Sequence, residues 1–171
     1  MSTTGVATTD SDLFTRLAEL ALAANRADVA GECLRRAATL APPQADESAE
    51  RWHATGIQHL NSGKIREAEA ALLQAIRLRP DNDVWHDHLG VIFAQQKRFA
   101  EAEATFRLAA RLDPTNSSPQ RNVIQSCFDQ KKFDAAATAI RVALKLEPHA
   151  DDLRLQLAIA LSELNKPLVV S

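Results

Sequence analysis

The chain has 171 residues, enough for one domain or a short array, and its 46% apolar content, absent tyrosine and 5 glycines favour helix over strand. Net charge is −2, and residues 11–44, 49–82, 83–116 and 117–150 sum to 0, +1, −1 and +2, so no block carries the basic excess that a nucleic-acid or anionic-lipid surface needs. No run approaches the ~18 apolar residues of a membrane span, and residues 1–10 lack the basic start and apolar centre of a signal peptide, so the expected location is cytoplasmic.

Residues 1–10 are rich in Ser and Thr and are expected to be a disordered tail. A repeat then begins. Pro80, Pro114 and Pro148 are 34 residues apart, each two positions after a leucine, and Pro42 stands 38 residues before Pro80. Ala68, Ala102 and Ala136 keep the 34-residue step, as do Ala75, Ala109 and Ala143, while Ala30 and Ala37 lie 38 residues earlier. Leu34, Leu72, Phe106 and Ile140 form a large apolar column.

The units are therefore 11–44, 49–82, 83–116 and 117–150, with Ala45-Asp46-Glu47-Ser48 expected as an insertion between the first two. Within each unit the apolar spacing is helical on both sides of a polar break, which is Gly63 in the second unit and Lys97-Arg98 in the third. Each unit reads as helix, tight turn, helix, with the proline-led link opening the next.

Residues 151–166 are expected to be a capping helix, with Leu153, Leu157, Ile159, Ala160, Leu161 and Leu164 covering the last hairpin. Gln156, Ser162, Glu163 and Asn165 would face water, and Lys166-Pro167 would end the helix. Residues 167–171 read as a frayed tail, the cut edge of a longer protein, or a strand-like peptide that docks on a neighbour. Cys33 and Cys127 are far apart in apolar settings and read as reduced core thiols.

These columns resemble the tetratricopeptide repeat (TPR) family, whose pattern runs Trp, Leu-Gly, aromatic, Ala, aromatic, Ala, Pro. The second unit carries Trp52, Gly56, Gly63, Ala68, Leu72, Ala75 and Pro80, and the third carries Leu89-Gly90, Phe93, Ala102, Phe106, Ala109 and Pro114. The first keeps Phe14, Leu17-Ala18, Ala30, Leu34, Ala37 and Pro42, whereas the fourth places Ile124 where a small residue is expected. The resemblance implies an all-α fold, an α-solenoid of stacked antiparallel helix-turn-helix hairpins in a right-handed superhelical array. Small residues let helix axes approach while the large column fills the space beside them. Trp52 and Trp85 are expected to wedge hairpins together.

In the family, the first helices of successive hairpins line a concave groove. By that resemblance a partner-binding groove would include His53, Ile57 and Leu60, then Asp87, His88 and Val91, then Arg121, Asn122 and Gln125. Ile57, Leu60, Val91 and Ala94 would form an apolar strip bordered by hydrogen-bonding groups, with Asp87 and Arg121 as neighbours in an exposed ion pair. The carboxylate clamp of the chaperone-tail co-chaperones is disfavoured. Its places hold Thr15, Glu19, Ala54, Val84 and His88 in one frame, and His53, Ile57, His88, Ser118 and Asn122 in the next. Neither set supplies the cations that hold a C-terminal carboxylate.

No phosphate-binding, dinucleotide-binding or nucleophile-elbow motif occurs, so no catalytic residue and no cofactor are expected. His86 and His88 are two apart on a helix and point to different faces, and no zinc spacing exists, so no metal site is expected. Glu67, Glu69, Glu101 and Glu103 read as solvated residues of the second helices. The leading expectation is a non-enzymatic module or scaffold that receives a peptide or helix of a partner protein. The alternatives are the non-catalytic array of a larger glycosyltransferase- or sulfotransferase-type enzyme, and self-association between copies.

Overall fold

The computed structural model describes residues 10–24, 26–40 and 45–165. Among these, all regular structure is helical: α1 (Asp10–Ala23), α2 (Ala27–Thr39), α3 (Ala45–Asn61), α4 (Ile65–Leu78), α5 (Asp83–Gln95), α6 (Phe99–Leu112), α7 (Ser117–Asp129), α8 (Phe133–Leu146) and α9 (Asp151–Leu164). The chain divides into two compact units, the first ending at Trp85 and the second beginning at His86, inside α5. In the first unit α1 packs on α2 and α3 on α4. In the second, α6 packs on α7, α7 on α8 and α8 on α9, and α5 closes on α6 where Gly90 meets Phe106. The fold is all-α, of the α-solenoid type built from helical hairpins.

Two boundaries differ from expectation. Helix α1 starts at Asp10, within the stretch read as tail, with Asp10 and Asp12 in its first turn. Acidic residues there favour the positive end of the helix dipole. Residues 45–48 are the first turn of α3 rather than an insertion outside it, and Asp46 and Glu47 play the same part. Residues 1–9, Pro42 and the tail at 167–171 lie outside the described residues.

The periodic columns are the core. Ala30, Ala37, Ala68, Ala75, Ala102, Ala109, Ala136 and Ala143 are all fully buried, and Leu34, Leu72, Phe106 and Ile140 are at most 4% exposed. A second column faces the large one sixteen positions earlier: Ala18, Gly56, Gly90 and Ile124 precede Leu34, Leu72, Phe106 and Ile140. A Cβ placed on Gly56 would lie 3.0 Å from Leu72 Cγ, and one on Gly90 would lie 2.5 Å from Phe106 Cε1. In both hairpins the smallest residue thus sits where the large side chain opposite leaves little room.

The turns also repeat. Gly63, Lys97 and Lys131, spaced by 34, adopt φ of 71°, 62° and 56°. The amide after each donates back to the closing helix: Lys64 to His59 O at 2.9 Å, Arg98 to Phe93 O at 2.9 Å, and Lys132 to Cys127 O at 2.8 Å. The left-handed residue plus this long-reach bond ends the first helix and turns the chain into the second. Only one of the three turn residues is the glycine that such a backbone favours. The second helices end alike, with Arg79, Asp113 and Glu147 amides donating to Ala75, Ala109 and Ala143 carbonyls just before a proline.

Several expected burials are corrected. Trp85 is 3% exposed and packs with Ala49 and Ala75, but Trp52, also expected as a wedge, is 45% exposed. On α9, Leu153 and Ala160 are buried and Leu157 half-buried, whereas Leu155, Ile159, Leu161 and Leu164 are exposed. One helix can turn only one stripe toward α8, and Leu155 and Ile159 lie on the opposite side of it. Gln156 and Glu163, expected in water, are half-buried. Cys127 is buried and its thiol pushed up to about 11, chiefly by burial, while Cys33 is partly exposed.

Candidate functional site

In the first unit, His53, Ile57 and Leu60 fall on one stripe of α3 at i, i+4 and i+7 and are half-buried. The His53 ring stacks on Trp85, with centroids 5.4 Å apart and planes 21° apart. That contact fixes the imidazole on the edge of the cluster formed by Ala49, Ala75 and Trp85. Arg79, at the end of α4, ties back to the start of α3 through Asp46 at 2.8 Å.

In the second unit the first helices are joined side by side through their side chains. Asn122 Nδ2 donates to Asp87 Oδ1 at 2.8 Å and Ser118 Oγ donates to Asp87 Oδ2 at 3.3 Å, linking α7 to α5. Arg121 links α7 to α9: its fork grips Glu147, just after α8, and Nη1 donates to Asp152 at 2.5 Å. These hydrogen bonds raise the Arg121 pKa and hold the Glu147 and Asp152 carboxyls below their usual range. The expected Asp87–Arg121 pair is therefore replaced. Asp87 is served by neutral donors, and Arg121 turns one hairpin further along, where two carboxylates outbid one for a planar fork.

Around this network the surface is mixed. Val91 and Ala94 are half-buried on the same stripe of α5 as Asp87, and Gln125 is exposed and donates to Asp129 at 3.0 Å. Phe128 packs edge-on against Phe133 with centroids 6.0 Å apart. On α9, Asp152, Leu155 and Ile159 share one stripe, and Leu155 and Ile159 are 64% and 46% exposed. Burial holds the His88 imidazole below its ordinary value, against the pull of Asp87. Asp87 and Asn122 are thus brought together, with Val91 one turn further along α5 and Gln125 one turn further along α7. His88 is half-buried, and Arg121 is committed to structure.

Glu103 corrects a further expectation. Its side chain is 12% exposed rather than solvated. It accepts from Arg107 Nη2 at 2.9 Å, Gln130 Nε2 at 2.9 Å and Lys132 Nζ at 3.1 Å, so it pins the turn after α7 to α6. Burial works against its charge, but the bonds from Lys132, Arg107 and Gln130 outweigh that, and the carboxyl titrates below its usual range. The sequence also gives no sign of a cleft of about 340 Å³ on the α1–α2 hairpin, lined by Phe14, Asp28, Val29, Glu32, Cys33 and Arg36. Arg36 covers Phe14 at 5.8 Å and pairs with Glu32 at 3.0 Å. Among the described residues, no three His, Cys, Asp or Glu side chains converge on a point that could hold a metal ion, and no helix is long and apolar enough to cross a membrane.

Comparison with solved structures places this architecture. The first TPR of Spaghetti (RPAP3) bound to an HSP90 peptide is 21% identical, covering 71% of this chain and 96% of that one, with a TM-score of 0.64. MamA AMB-1 is 18% identical over 90% of this chain and 82% of its own, also at 0.64. The TPR2B domain of yeast Sti1, solved with an Hsp70 peptide, is 15% identical over 68% and 98%, at 0.62. At these identities the likeness is one of fold. No curated protein matches the chain. Residues 1–167 match the family described as the cilia and flagella-associated protein 70 C-terminal domain, a TPR family. The chain is a TPR protein and belongs to that family.

Proposed function

We propose that the chain is a protein-interaction module that receives a peptide or helix of a partner on the faces of its first helices. The observation that carries this reading is the Asp87 network. A carboxylate fixed by Asn122 and Ser118 keeps acceptor capacity at the surface, directly beside half-buried Val91. A polar group already held in place, next to apolar surface, loses little freedom when a partner docks. His53, Ile57 and Leu60 offer a comparable mixed stripe on the first unit. Two of the similar structures hold chaperone peptides. The residues here at the clamp places, Thr15, Glu19, Ala54, Val84 and His88 in one frame, do not supply the cations for a C-terminal carboxylate.

The test is a binding titration with an identified partner. Asp87→Ala combined with Val91→Glu weakens binding by at least about thirty-fold, the effect of removing an interface anchor, while circular dichroism stays that of the wild type. Unchanged affinity in the folded double variant overturns the reading.

A further inference from the structure

We infer that the segment received by the second unit is basic: a peptide or helix that sets Lys or Arg against Asp87, Asp129 and Asp152, and apolar side chains against Val91, Leu155 and Ile159. This rests on the interaction-module reading above and names the partner's chemistry.

The charge of this chain is balanced by unit but segregated by helix. Helices α1, α3, α5 and α9 each carry −2 and α7 carries 0, whereas α2, α4 and α6 carry 0 and α8 carries +1. Acidic first turns are common to both classes and suit the helix dipole. The difference is at the other end. The second helices close with Arg36, Arg77, Arg111 and Lys145 in their last turns, while α1, α5, α7 and α9 close with no basic residue. The dipole explains the acidic starts but not this missing compensation.

The geometry leaves the charge open. Asp87 and Asp129 are held by neutral donors, which orient a carboxylate without cancelling it. Arg121 is shared between Glu147 and Asp152, so that group keeps a net negative charge, with the Asp152 side chain 58% exposed. Leu155 and Ile159 stand beside Asp152 on α9 and give the same face its apolar content. An anionic, part-apolar face complements a cationic amphipathic segment and repels an acidic tail.

The full chain is used to select from a displayed random-peptide library, and the recovered sequences are synthesised and titrated by fluorescence anisotropy. Recovered peptides carry net positive charge with interspersed apolar residues. Their binding weakens with rising salt, falls about three- to ten-fold in Asp87→Asn, is lost in Val91→Glu, and is unmoved by Lys145→Glu on α8. Acidic or carboxylate-dependent peptides that still require Val91 overturn the basic-partner inference and leave the interaction face standing. Recovery of no binder, or of binders indifferent to both Val91 and Asp87, overturns the two together.

Discussion

Replacing Gly90 by alanine adds one methyl group at the tightest seam of the second unit. The added Cβ would lie 2.5 Å from Phe106 Cε1, 2.6 Å from Cδ1 and 2.9 Å from Cζ. Phe106 is 2% exposed, so its ring has no open space into which to swing. Overpacking of this kind costs roughly 1–3 kcal/mol, and alanine returns about 1 kcal/mol of helix propensity. The difference is about 0–2 kcal/mol, and three ring atoms closer than 3.0 Å put the expected loss in its upper half, about 1–2 kcal/mol. In urea unfolding followed by far-ultraviolet circular dichroism, with a slope of about 1–3 kcal/mol per molar, the midpoint falls by roughly half to one molar. Gly56→Ala is the internal control. Its nearest contact, Leu72 Cγ, lies at 3.0 Å and the next at 3.4 Å, so relief asks for a shift of only a few tenths of an ångström, well short of what the Phe106 ring would need. The propensity gain then offsets the contact, and stability stays within about 0.5 kcal/mol of wild type. In a Phe106→Leu background, Gly90→Ala becomes neutral or stabilising, because that pair reproduces the Ala18 and Leu34 combination of the first hairpin. A Gly90→Ala chain at least as stable as wild type, with Phe106 intact, refutes the seam argument.

Lys97 and Lys131 hold the left-handed turn that Gly63 also adopts, at a cost a glycine avoids, so Lys97→Gly raises stability by about 1 kcal/mol; thermal melting that shows a loss contradicts this. Glu103→Gln strips Arg107 and Lys132 of their shared anion and destabilises by about 1–3 kcal/mol at neutral pH. Because the folded Glu103 pKa is depressed, its contribution is present above the unfolded value of about 4.3 and fades as pH falls through the folded value. Wild type and Glu103→Gln therefore converge in acid, and a stability gap that persists or widens there would be the contrary result.

The hairpins were legible because close packing imposes a period. Each buried alanine and closing proline, and in the first three units each large residue sixteen positions after a small one, recurs because the hairpins solve the same packing problem, so the columns identify Ala68, Ala102 and Ala136 as core without coordinates. What the period does not encode is the choice among polar partners. Arg121 could have paired with Asp87, one hairpin back, and instead reaches forward to Glu147 and Asp152. Glu103 is drawn inward because Arg107, Gln130 and Lys132 converge on it from α6 and the following hairpin. Long charged side chains reach several candidate partners at similar cost, and tertiary geometry selects one. The same holds for α9: its leucines read as a cap on spacing alone, but the stripe it turns inward carries Leu153 and Ala160, so Leu155 and Ile159, on the opposite side, stay at the surface. Apolar burial follows from the order of residues along the chain, whereas the charge that a face presents is decided only when the helices are side by side.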